Sequence, residues 1–337
     1  MTLADIDNKL YTLNDDFIDD VRAINGDILI LGAGGKMGPS LARLAKLAID
    51  AANVKHKVIA VSRFNNKAAE KELNDEGIET ISMDLMDDAA LQRLPDVENV
   101  IYMAGTKFGT TGNESNTWAM NAYLPGRVAQ KFLRSRIVVF STGNVYPLTS
   151  TKSKGPSEEE PVAPIGEYAQ SCLGRERMFE YFSKTHGTRV LIYRLNYAID
   201  LRYGVLLEIA KAVRNKKPID LAMGHVNIIW QGDANQIAIR SLKLCSSPPA
   251  ILNVTGANIL SVKSIANEFG KLFGEKPIFE NTEQPTALLS NASKMESLFP
   301  FAKVPVAEMI RWTADWLQLG GSQLDKPTHF QERTGKF

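Results

Sequence analysis

Cysteine and histidine are scarce in this sequence, with 2 and 4 residues among 337. Cys172 and Cys245 lie far apart, and the histidines are scattered without ligand spacing. The sequence therefore predicts neither a disulfide framework nor a metal site. Charge of one sign is lacking as well, because 39 Lys and Arg residues balance 38 Asp and Glu residues for a net charge of +1. Nothing in this balance predicts a general attraction to nucleic acid or to an anionic membrane.

Long apolar runs are also absent. No stretch of the sequence reaches the roughly 18 apolar residues that a membrane-spanning helix requires. The first residues are acidic and mixed, without the apolar region of a signal peptide, so we expect a cytoplasmic protein. The apolar content of 44% is ordinary for a globular protein, and the length suits one large domain or two closely packed ones.

Short apolar runs alternate with helical patterns up to residue 193. This alternation predicts an α/β fold, a doubly wound parallel sheet (Rossmann fold) with helices on both faces. Ligands of such sheets bind at the carboxyl ends of the strands. The predicted strands cover residues 27–31, 57–62, 78–83, 99–104, 136–140 and 188–193.

The rest of the chain predicts additional parts around this sheet. The Rossmann domain is predicted over residues 26–193 and 226–255, the latter with strands at 226–230 and 251–254. A smaller, mostly helical substrate lobe is predicted over residues 194–225 and 256–320. Residues 1–25 predict a helical extension that docks on this domain or on a partner, and residues 321–337 a polar, loosely held tail.

A glycine-rich turn follows the first predicted strand, and a helical pattern begins at once. Such a turn lets the backbone approach a pyrophosphate at a helix N-terminus. Its spacing is G-x-x-G-x-x-G, whereas the dinucleotide pattern G-x-G-x-x-G/A would need Gly or Ala where Met37 stands. An ordinary strand-to-helix turn remains the alternative. The cofactor-binding residues expected here are Gly32, Gly34, Gly35, Lys36, Met37 and Gly38.

The end of the second predicted strand bears on the choice of dinucleotide. A carboxylate at this position would bind the ribose 2′-hydroxyl of NAD, whereas an arginine favours a 2′-phosphate. The sequence has Ser62 and Arg63 and no acid. We therefore predict NADP as the cofactor, with NAD as the alternative. Arg63 as a solvated residue that only stacks on the adenine is the competing interpretation.

Further motifs follow the glycine turn in a fixed order. Together they resemble the extended short-chain dehydrogenase/reductase family, the NAD(P)-dependent sugar epimerases and dehydratases, over about residues 26–320. The resemblance implies that Asp84 and Leu85 lie at the adenine, that Ala104 and Gly105 line the nicotinamide side, and that Asn121 belongs to the cofactor site. The motifs are Asp84-Leu85, the segment 100–105, Asn121 with Gly126, the segment 140–146, and Tyr168 with Glu176.

The resemblance also implies catalytic roles. Thr142 would hydrogen-bond the reacting oxygen, and Tyr168 would be the acid/base. Hydride transfer at a carbinol carbon requires a proton to move at its oxygen, and a tyrosine does this if its pKa falls from about 10 toward the working pH. A lysine four residues later usually supplies the charge that lowers this pKa. Here that position holds Cys172.

Three interpretations of the missing lysine remain open. First, another cation substitutes: Arg175 follows Tyr168 by close to two helical turns and shares its face, and the charge of the nicotinamide would add to it. Second, the protein is a catalytically silent NAD(P)-binding sensor or regulator. Third, Cys172 is a nucleophile, which we disfavour because no histidine lies nearby in sequence to activate it. Tyr168 as a merely packed aromatic residue is a further alternative.

The substrate side of the sequence is less informative. Gly143 and Asn144 stand where sugar dehydratases of this family carry Asp-Glu, so a 4,6-dehydratase is disfavoured. By resemblance, Arg194 and Asn196 lie near the cleft as substrate residues. The sequence thus predicts an oxidoreductase or epimerase acting on a carbohydrate-type hydroxyl or carbonyl. A homodimer through the helices at 114–134 and 166–186 is expected from the resemblance.

Overall fold

A parallel sheet forms the centre of the fold in this computed structural model, which describes residues 2–324 and 328–336. The strands are β1 (Ile28–Leu31), β2 (Val58–Ser62), β3 (Glu79–Ser82), β4 (Asn99–Tyr102), β5 (Arg136–Thr142), β6 (Thr149–Ser150), β7 (Arg189–Leu195), β8 (Ala198–Ile199), β9 (Pro218–Asp220), β10 (His225–Val226), β11 (Ile229–Trp230), β12 (Ala250–Val254), β13 (Leu260–Ser261), β14 (Ile278–Glu280) and β15 (Thr286–Ala287).

Helices connect these strands and cover the sheet. Residues 119–123 form a π-helical segment between two helices. The α-helices are α1 (Leu3–Asp7), α2 (Asp15–Arg22), α3 (Gly38–Ala52), α4 (Lys67–Asp75), α5 (Asp88–Gln92), α6 (Glu114–Trp118), α7 (Leu124–Lys131), α8 (Gly166–His186), α9 (Val205–Arg214), α10 (Gln231–Arg240), α11 (Val262–Phe273), α12 (Ser293–Leu298) and α13 (Val306–Gln318).

The main sheet has the strand order β12-β7-β5-β4-β1-β2-β3, with all neighbours parallel. Strand β1 lies between β2 and β4, so the chain reverses its direction of winding there, and a crevice opens at the carboxyl ends of these strands. Every residue of β1 and β4 is buried, as expected for strands covered on both faces. The predicted doubly wound Rossmann fold is thereby confirmed.

Alternate residues of β1 enter two separate cores. Ile28 and Ile30 pack in a core with helices α3 and α10, and Leu29 and Leu31 pack on the other face with α7 and α8. This period of two is the geometric consequence of the strand's pleat. A third core joins α9, α11 and α13 into the smaller C-terminal lobe.

One predicted strand of the main sheet differs in the structure. Residues 250–254 do join it, beside β7, but the segment 226–230 does not. It divides into β10, which pairs with β13, and β11, which pairs with β8. The division falls at Asn227, whose buried side chain accepts a hydrogen bond from the Ser290 N–H at 3.0 Å and so connects this segment to the substrate lobe.

Both ends of the chain pack on the chain itself. Ile6 enters the core of the lobe and Phe17 the core beside the sheet, so the N-terminal extension spans the two parts. At the other end, Thr328 and Phe330 are buried, and the Arg333 side chain donates to the Thr286 backbone carbonyl. Part of the tail is therefore held against the rest of the chain, and residues 325–327 and 337 lie outside the description. No described helix combines the length and apolar character needed to cross a bilayer.

Candidate functional site

The glycine turn brings the end of β1 against the end of β4. Gly32 has a φ of +92°, and a Cβ there would lie 2.6 Å from the Ala104 backbone nitrogen. A side chain at this position is thus excluded both by conformation and by contact. At Gly35, by contrast, the nearest described atom to an added Cβ is the Gly32 carbonyl oxygen at 3.3 Å. Gly35 therefore presents bare backbone to open space, beside the N-terminus of α3.

That open space is a cleft of about 510 Å³, which we call the cofactor cleft. Its volume lies within the range of about 300–1,000 Å³ that is usual for small-molecule sites. Residues not predicted from the sequence, including Phe64, Asn65 and Met120, complete its lining. The predicted cofactor residues that line it are Gly32, Gly34, Gly35, Ser62, Arg63, Asp84, Leu85, Ala104 and Gly105. A backbone cradle at a helix N-terminus, joined to an elongated cleft at the strand ends, fits a dinucleotide.

The other four predicted cofactor residues do not line this cleft. Gly38 is the first residue of α3 and is buried. Lys36 and Met37 line a second pocket, described below. Asn121 is fully buried in the π-helical segment. Its side chain accepts from the Thr106 N–H and donates to the Thr106 carbonyl, both at 2.8 Å, so it fixes the loop after β4.

The second pocket has a volume of about 190 Å³ and lies between the sheet and the substrate lobe. We call it the reaction pocket, because Thr142 and Tyr168 both line it. Thr142 is the last residue of β5, and Tyr168 is in the first turn of α8. The full lining is Lys36, Met37, Lys107, Ser141, Thr142, Asn144, Tyr168, Leu195, Asn196, Tyr197, Ala198, Tyr203, Gly204, Val205 and Thr328.

Thr142 and Tyr168 line the reaction pocket together, and the Thr142 side chain favours the ionised form of the Tyr168 hydroxyl. Burial raises the pKa of Tyr168 above its usual value, and the adjacent Cys172 thiol raises it further, against an opposing effect of Arg175. Tyr168 therefore stays protonated at neutral pH. In this state it can donate a proton, and it needs an additional positive charge to act as a base.

Arg175 lies behind the reaction pocket rather than in it. The side chain is 6% exposed. Its Nη1 donates to the Phe140 carbonyl at 2.6 Å and its Nη2 to Asn121 Oδ1 at 2.9 Å. The positive charge thus acts on Tyr168 through the protein, without a place in the pocket lining, and at the same time holds α8 to the end of β5.

Cys172 occupies the position of the missing lysine and is 1% exposed. It packs in a small cluster with Val145 and Tyr146. Burial raises the pKa of the thiol, which opposes formation of the thiolate that a nucleophile requires. The reaction pocket's described lining contains neither Cys172 nor a histidine. The geometry therefore favours a buried apolar role for this residue.

The two predicted substrate residues have different surroundings. Arg194 is 3% exposed. Its Nε and Nη2 donate to the Glu176 carboxylate at 3.0 and 2.7 Å, and its Nη1 donates to the Tyr146 hydroxyl at 2.7 Å. A substrate role for Arg194 does not fit this arrangement, because the guanidinium is buried in an internal ion pair. Asn196 does line the reaction pocket, and its buried Nδ2 has no hydrogen-bond partner among the described atoms.

Two lysines line the reaction pocket: Lys36, which the glycine turn predicted at the cofactor, and Lys107, which belongs to no motif. The Lys36 Nζ donates to the Ala198 carbonyl at 3.0 Å and lies 3.9 Å from the centroid of the Tyr203 ring. The Lys107 Nζ lies 5.8 Å from the centroid of the Tyr168 ring. Burial lowers the pKa of Lys36 to about 7 and that of Lys107 to about 8. The two lysines come from distant segments of the chain, so the sequence does not show that they share a pocket. The one sequence indication is that Lys107 follows the end of a predicted strand.

Metal chemistry receives no structural support from clustered ligands. Among residues 2–324 and 328–336, no three His, Cys, Asp or Glu side chains are grouped in a way that could hold a metal ion.

The strand order, the glycine cradle and the adjoining Thr142–Tyr168 pair define a Rossmann-type protein of the dinucleotide-dependent class. The chain belongs to the NAD dependent epimerase/dehydratase family, whose model matches residues 28–199. This match confirms the resemblance inferred from the ordered motifs.

Solved structures of similar architecture cover 87% of this chain. UDP-glucuronic acid 4-epimerase from Bacillus cereus, in complex with NAD, is similar over 98% of its chain, with a TM-score of 0.72 and 16% identity. The UDP-Glc/GlcNAc 4-epimerase of Campylobacter jejuni is similar over 99% of its chain, with a TM-score of 0.70 and 20% identity. dTDP-glucose 4,6-dehydratase from Bacillus anthracis, in complex with NAD, is similar over 97% of its chain, with a TM-score of 0.74 and 17% identity. At these identities the similarity is one of fold. No curated protein sequence matches the chain.

Proposed function

We propose that this protein is an NAD(P)-dependent oxidoreductase or epimerase that acts on a carbohydrate-type hydroxyl or carbonyl group. The observation that carries this proposal is the pairing of Thr142 and Tyr168 in one pocket beside the cofactor cleft. Family membership supports the dinucleotide, and the sugar-nucleotide enzymes among the structural neighbours support a carbohydrate substrate.

The nicotinamide ring of a cofactor bound in the cleft would accept or donate the hydride. Thr142 would hold the reacting oxygen, and Tyr168 would donate a proton to it during reduction of a carbonyl. For the reverse direction Tyr168 must lose its proton, and the charges available nearby are Lys107 at the ring and Arg175 behind it. Asn196, with its unpartnered amide nitrogen, would orient the substrate.

NADP is proposed as the preferred dinucleotide. Arg63 follows β2 and lines the cofactor cleft with an exposed side chain, beside Ser62. No carboxylate stands at the end of β2 to bind a ribose 2′-hydroxyl, and a guanidinium suits a 2′-phosphate. Two of the structural neighbours are in complex with NAD, so NAD is the alternative outcome.

A homodimer through the faces of α6, α7 and α8 is also proposed. Aromatic and sulfur-containing side chains are exposed on these packed helices: Trp118, Tyr123, Met178 and Tyr181 at 39%, 58%, 36% and 57%. Such residues are enriched where proteins associate. Sedimentation of the wild type and of Tyr181→Glu would test this proposal, with a monomeric wild type as the contrary result.

The catalytic proposal is tested by hydride transfer to and from the dinucleotide, followed by absorbance across a panel of sugars, sugar nucleotides and polyols. Turnover in Tyr168→Phe should fall by about 10²- to 10⁴-fold, while dinucleotide affinity changes less than about twofold. Tyr123→Phe, at an exposed tyrosine, serves as the control. Equal turnover in wild type and Tyr168→Phe would remove Tyr168 from the mechanism.

A catalytically silent dinucleotide-binding sensor is the second candidate. The observation that favours it is the buried Cys172 in place of lysine, next to a tyrosine whose pKa is raised. This candidate expects tight dinucleotide binding, binding of a partner protein, and no cofactor oxidation or reduction with any member of the panel.

A further inference from the structure

The reaction pocket contains two ammonium groups from distant parts of the chain. Lys36 comes from the glycine turn and Lys107 from the loop after β4, and their charges interact. We propose that these two lysines form a subsite for an anionic substituent, a carboxylate or a phosphate, on the sugar that reacts at Thr142 and Tyr168. The proposal rests on the proposed function, and it assigns the class of substrate: a sugar acid or a sugar phosphate.

The charge balance around the pocket is positive. Its described lining includes two lysines and no carboxylate. Two carboxylates lie nearby, and both have other partners. Asp200 accepts from the Arg202 backbone at 3.0 Å and from the Gln231 side chain at 3.1 Å, and Glu208 accepts from the Thr328 hydroxyl at 2.6 Å. An anion entering the pocket would thus meet cations without competing acids in the lining.

The Lys36 ammonium belongs to the reaction pocket rather than to the cofactor cleft. Its backbone lies in the glycine turn, but its side chain reaches the Ala198 carbonyl and the Tyr203 ring, both after β7. Lys36 is not part of the cofactor cleft's described lining. Its ammonium is therefore placed for the substrate side, and a separate measurement of dinucleotide affinity can test this assignment.

Lys107 places the second charge beside the catalytic pair. Its Nζ lies 5.8 Å from the Tyr168 ring centroid and 3.5 Å from the Thr328 carbonyl oxygen. An anionic group that contacts Lys107 would thus be attached close to the reacting carbon. The pocket volume of about 190 Å³ is below that of sites for drug-sized ligands, so it suits one small unit with its charged substituent.

Both lysines are buried in the pocket. Desolvation disfavours their charged forms, and an opposite charge within contact distance restores them. The groups that act on Lys36 are Asp200, Lys107 and the Tyr203 ring. Those that act on Lys107 include Cys172, Glu208, the Thr328 carbonyl and the Phe108 and Tyr168 rings. Between about pH 6 and about pH 9 both ammonium groups lose protons, so affinity for an anionic sugar should fall over this interval.

The test measures binding by calorimetry with the dinucleotide present at saturation. The probes are D-glucose, D-glucuronate, D-glucose 6-phosphate, D-glucose 1-phosphate and inorganic phosphate. At about pH 6, at least one anionic sugar should bind the wild type about tenfold or more tightly than glucose. Lys36→Met and Lys107→Met should each remove most of that advantage, measured within each variant as the ratio of the affinity for the anionic sugar to the affinity for glucose. Lys217→Met, which removes the same charge from an exposed position outside the pocket, should retain it.

The choice of probes distinguishes a carboxylate from a phosphate, and the binding measurement distinguishes the subsite from the proposed oxidoreductase activity. A preference for glucuronate assigns a carboxylate, and a preference for either sugar phosphate assigns a phosphate. The subsite is overturned if anionic sugars bind the wild type no better than glucose, or if Lys36→Met lowers dinucleotide affinity while the preference persists. Charge discrimination is measured without turnover. If the protein prefers anionic sugars but transfers no hydride, the proposed oxidoreductase activity is rejected and the subsite stands. If it turns over neutral sugars and shows no preference for anionic ones, the subsite is rejected and the oxidoreductase activity stands.

Discussion

The cofactor cleft and the reaction pocket lie side by side but are built differently. The phosphate-cradle part of the cleft is backbone and short side chains at the ends of adjacent parallel strands, as at Gly35 and Ala104, and longer side chains such as Arg63 and Phe64 complete the lining. The pocket is lined by long polar side chains from the glycine turn, the β4 loop, α8 and the substrate lobe, with Thr328 from the C-terminal segment. The cofactor cleft results from the geometry of the sheet, whereas the reaction pocket results from the way the loops and the lobe pack over the sheet.

The cofactor cleft accounts for dinucleotide binding, whereas the reaction pocket holds the residues proposed for the chemistry. The cleft can accept a dinucleotide because a short local sequence produces a strand, a turn and a helix N-terminus in fixed relation. The reaction pocket has the family's Thr142 and Tyr168 but lacks its lysine, and it has Lys36 and Lys107 instead. A substitution in one region should therefore leave the function of the other region intact and measurable.

The largest effect is expected from filling the cradle. Gly35→Val would place a branched side chain in the open space of the cofactor cleft. Dinucleotide affinity should fall by more than about a hundredfold, about 2.7 kcal/mol, and the melting temperature is measured alongside because the added Cβ lies 3.3 Å from the Gly32 carbonyl oxygen. Fluorescence titration with NADP and NAD measures this change, and Gly126→Ala is the control because its new methyl group meets only Met178 at 3.5 Å. Unchanged affinity would mean that the dinucleotide does not use this turn.

A smaller and selective effect is expected at the end of β2. Arg63→Ala should weaken NADP by about ten- to a hundredfold, the range for a hydrogen bond to a charged group, and NAD by less than about threefold. Lys67→Ala removes the same charge nearby, where Lys67 already pairs with Glu70, and should change neither. If the wild type binds NAD more tightly than NADP, the interpretation of Arg63 is wrong.

The sequence predicted those parts of the molecule that depend on neighbouring residues. The doubly wound sheet follows from apolar runs and breaks, and nine of the thirteen predicted cofactor residues line the cleft because strand ends converge. The segment 226–230 was wrongly assigned to the main sheet, since its apolar pattern does not reveal that Asn227 is buried against the lobe. Periodicity reports burial, but it does not identify the partner element.

The prediction was less successful where distant residues meet. Arg194 was expected near the substrate, yet Glu176 lies opposite it and the two form a buried ion pair at 2.7 Å. Both residues had been noted from the motifs, but their pairing depends on how α8 packs on β7. Lys107 was not identified, because only the tertiary fold places it above the Tyr168 ring. The role of a charged residue thus depends on long-range contacts that local patterns do not contain.

Restoring the family's lysine tests whether the reaction pocket works by a weakened form of the same chemistry. Cys172→Lys would place an ammonium one turn from Tyr168 and remove the thiol that raises its pKa. The pKa of Tyr168 should fall, so the rate of alcohol oxidation at a fixed pH below that pKa should rise about tenfold. Cys172→Ala removes the thiol without adding a charge, so it should reproduce only the smaller part of this increase. A pH–rate profile identical to that of the wild type would argue for a different source of positive charge.

The smallest effect concerns the stability cost of the two pocket lysines. Because burial lowers the pKa of Lys36 to about 7 while the unfolded chain keeps a value near 10.5, the unfolded state binds more protons between these values. Holding the charged form therefore destabilises the fold fully below about pH 7, and this destabilisation fades as pH rises toward 10.5. Lys36→Met should raise the free energy of unfolding by about 1 kcal/mol near pH 6, with a smaller gain near pH 9. Denaturant titration at both pH values measures the difference, and Lys217→Met should show no such pH-dependent gain. A loss of stability in Lys36→Met at both pH values would instead make Lys36 a structural part of the glycine turn, and would place it with the cofactor cleft rather than with the reaction pocket.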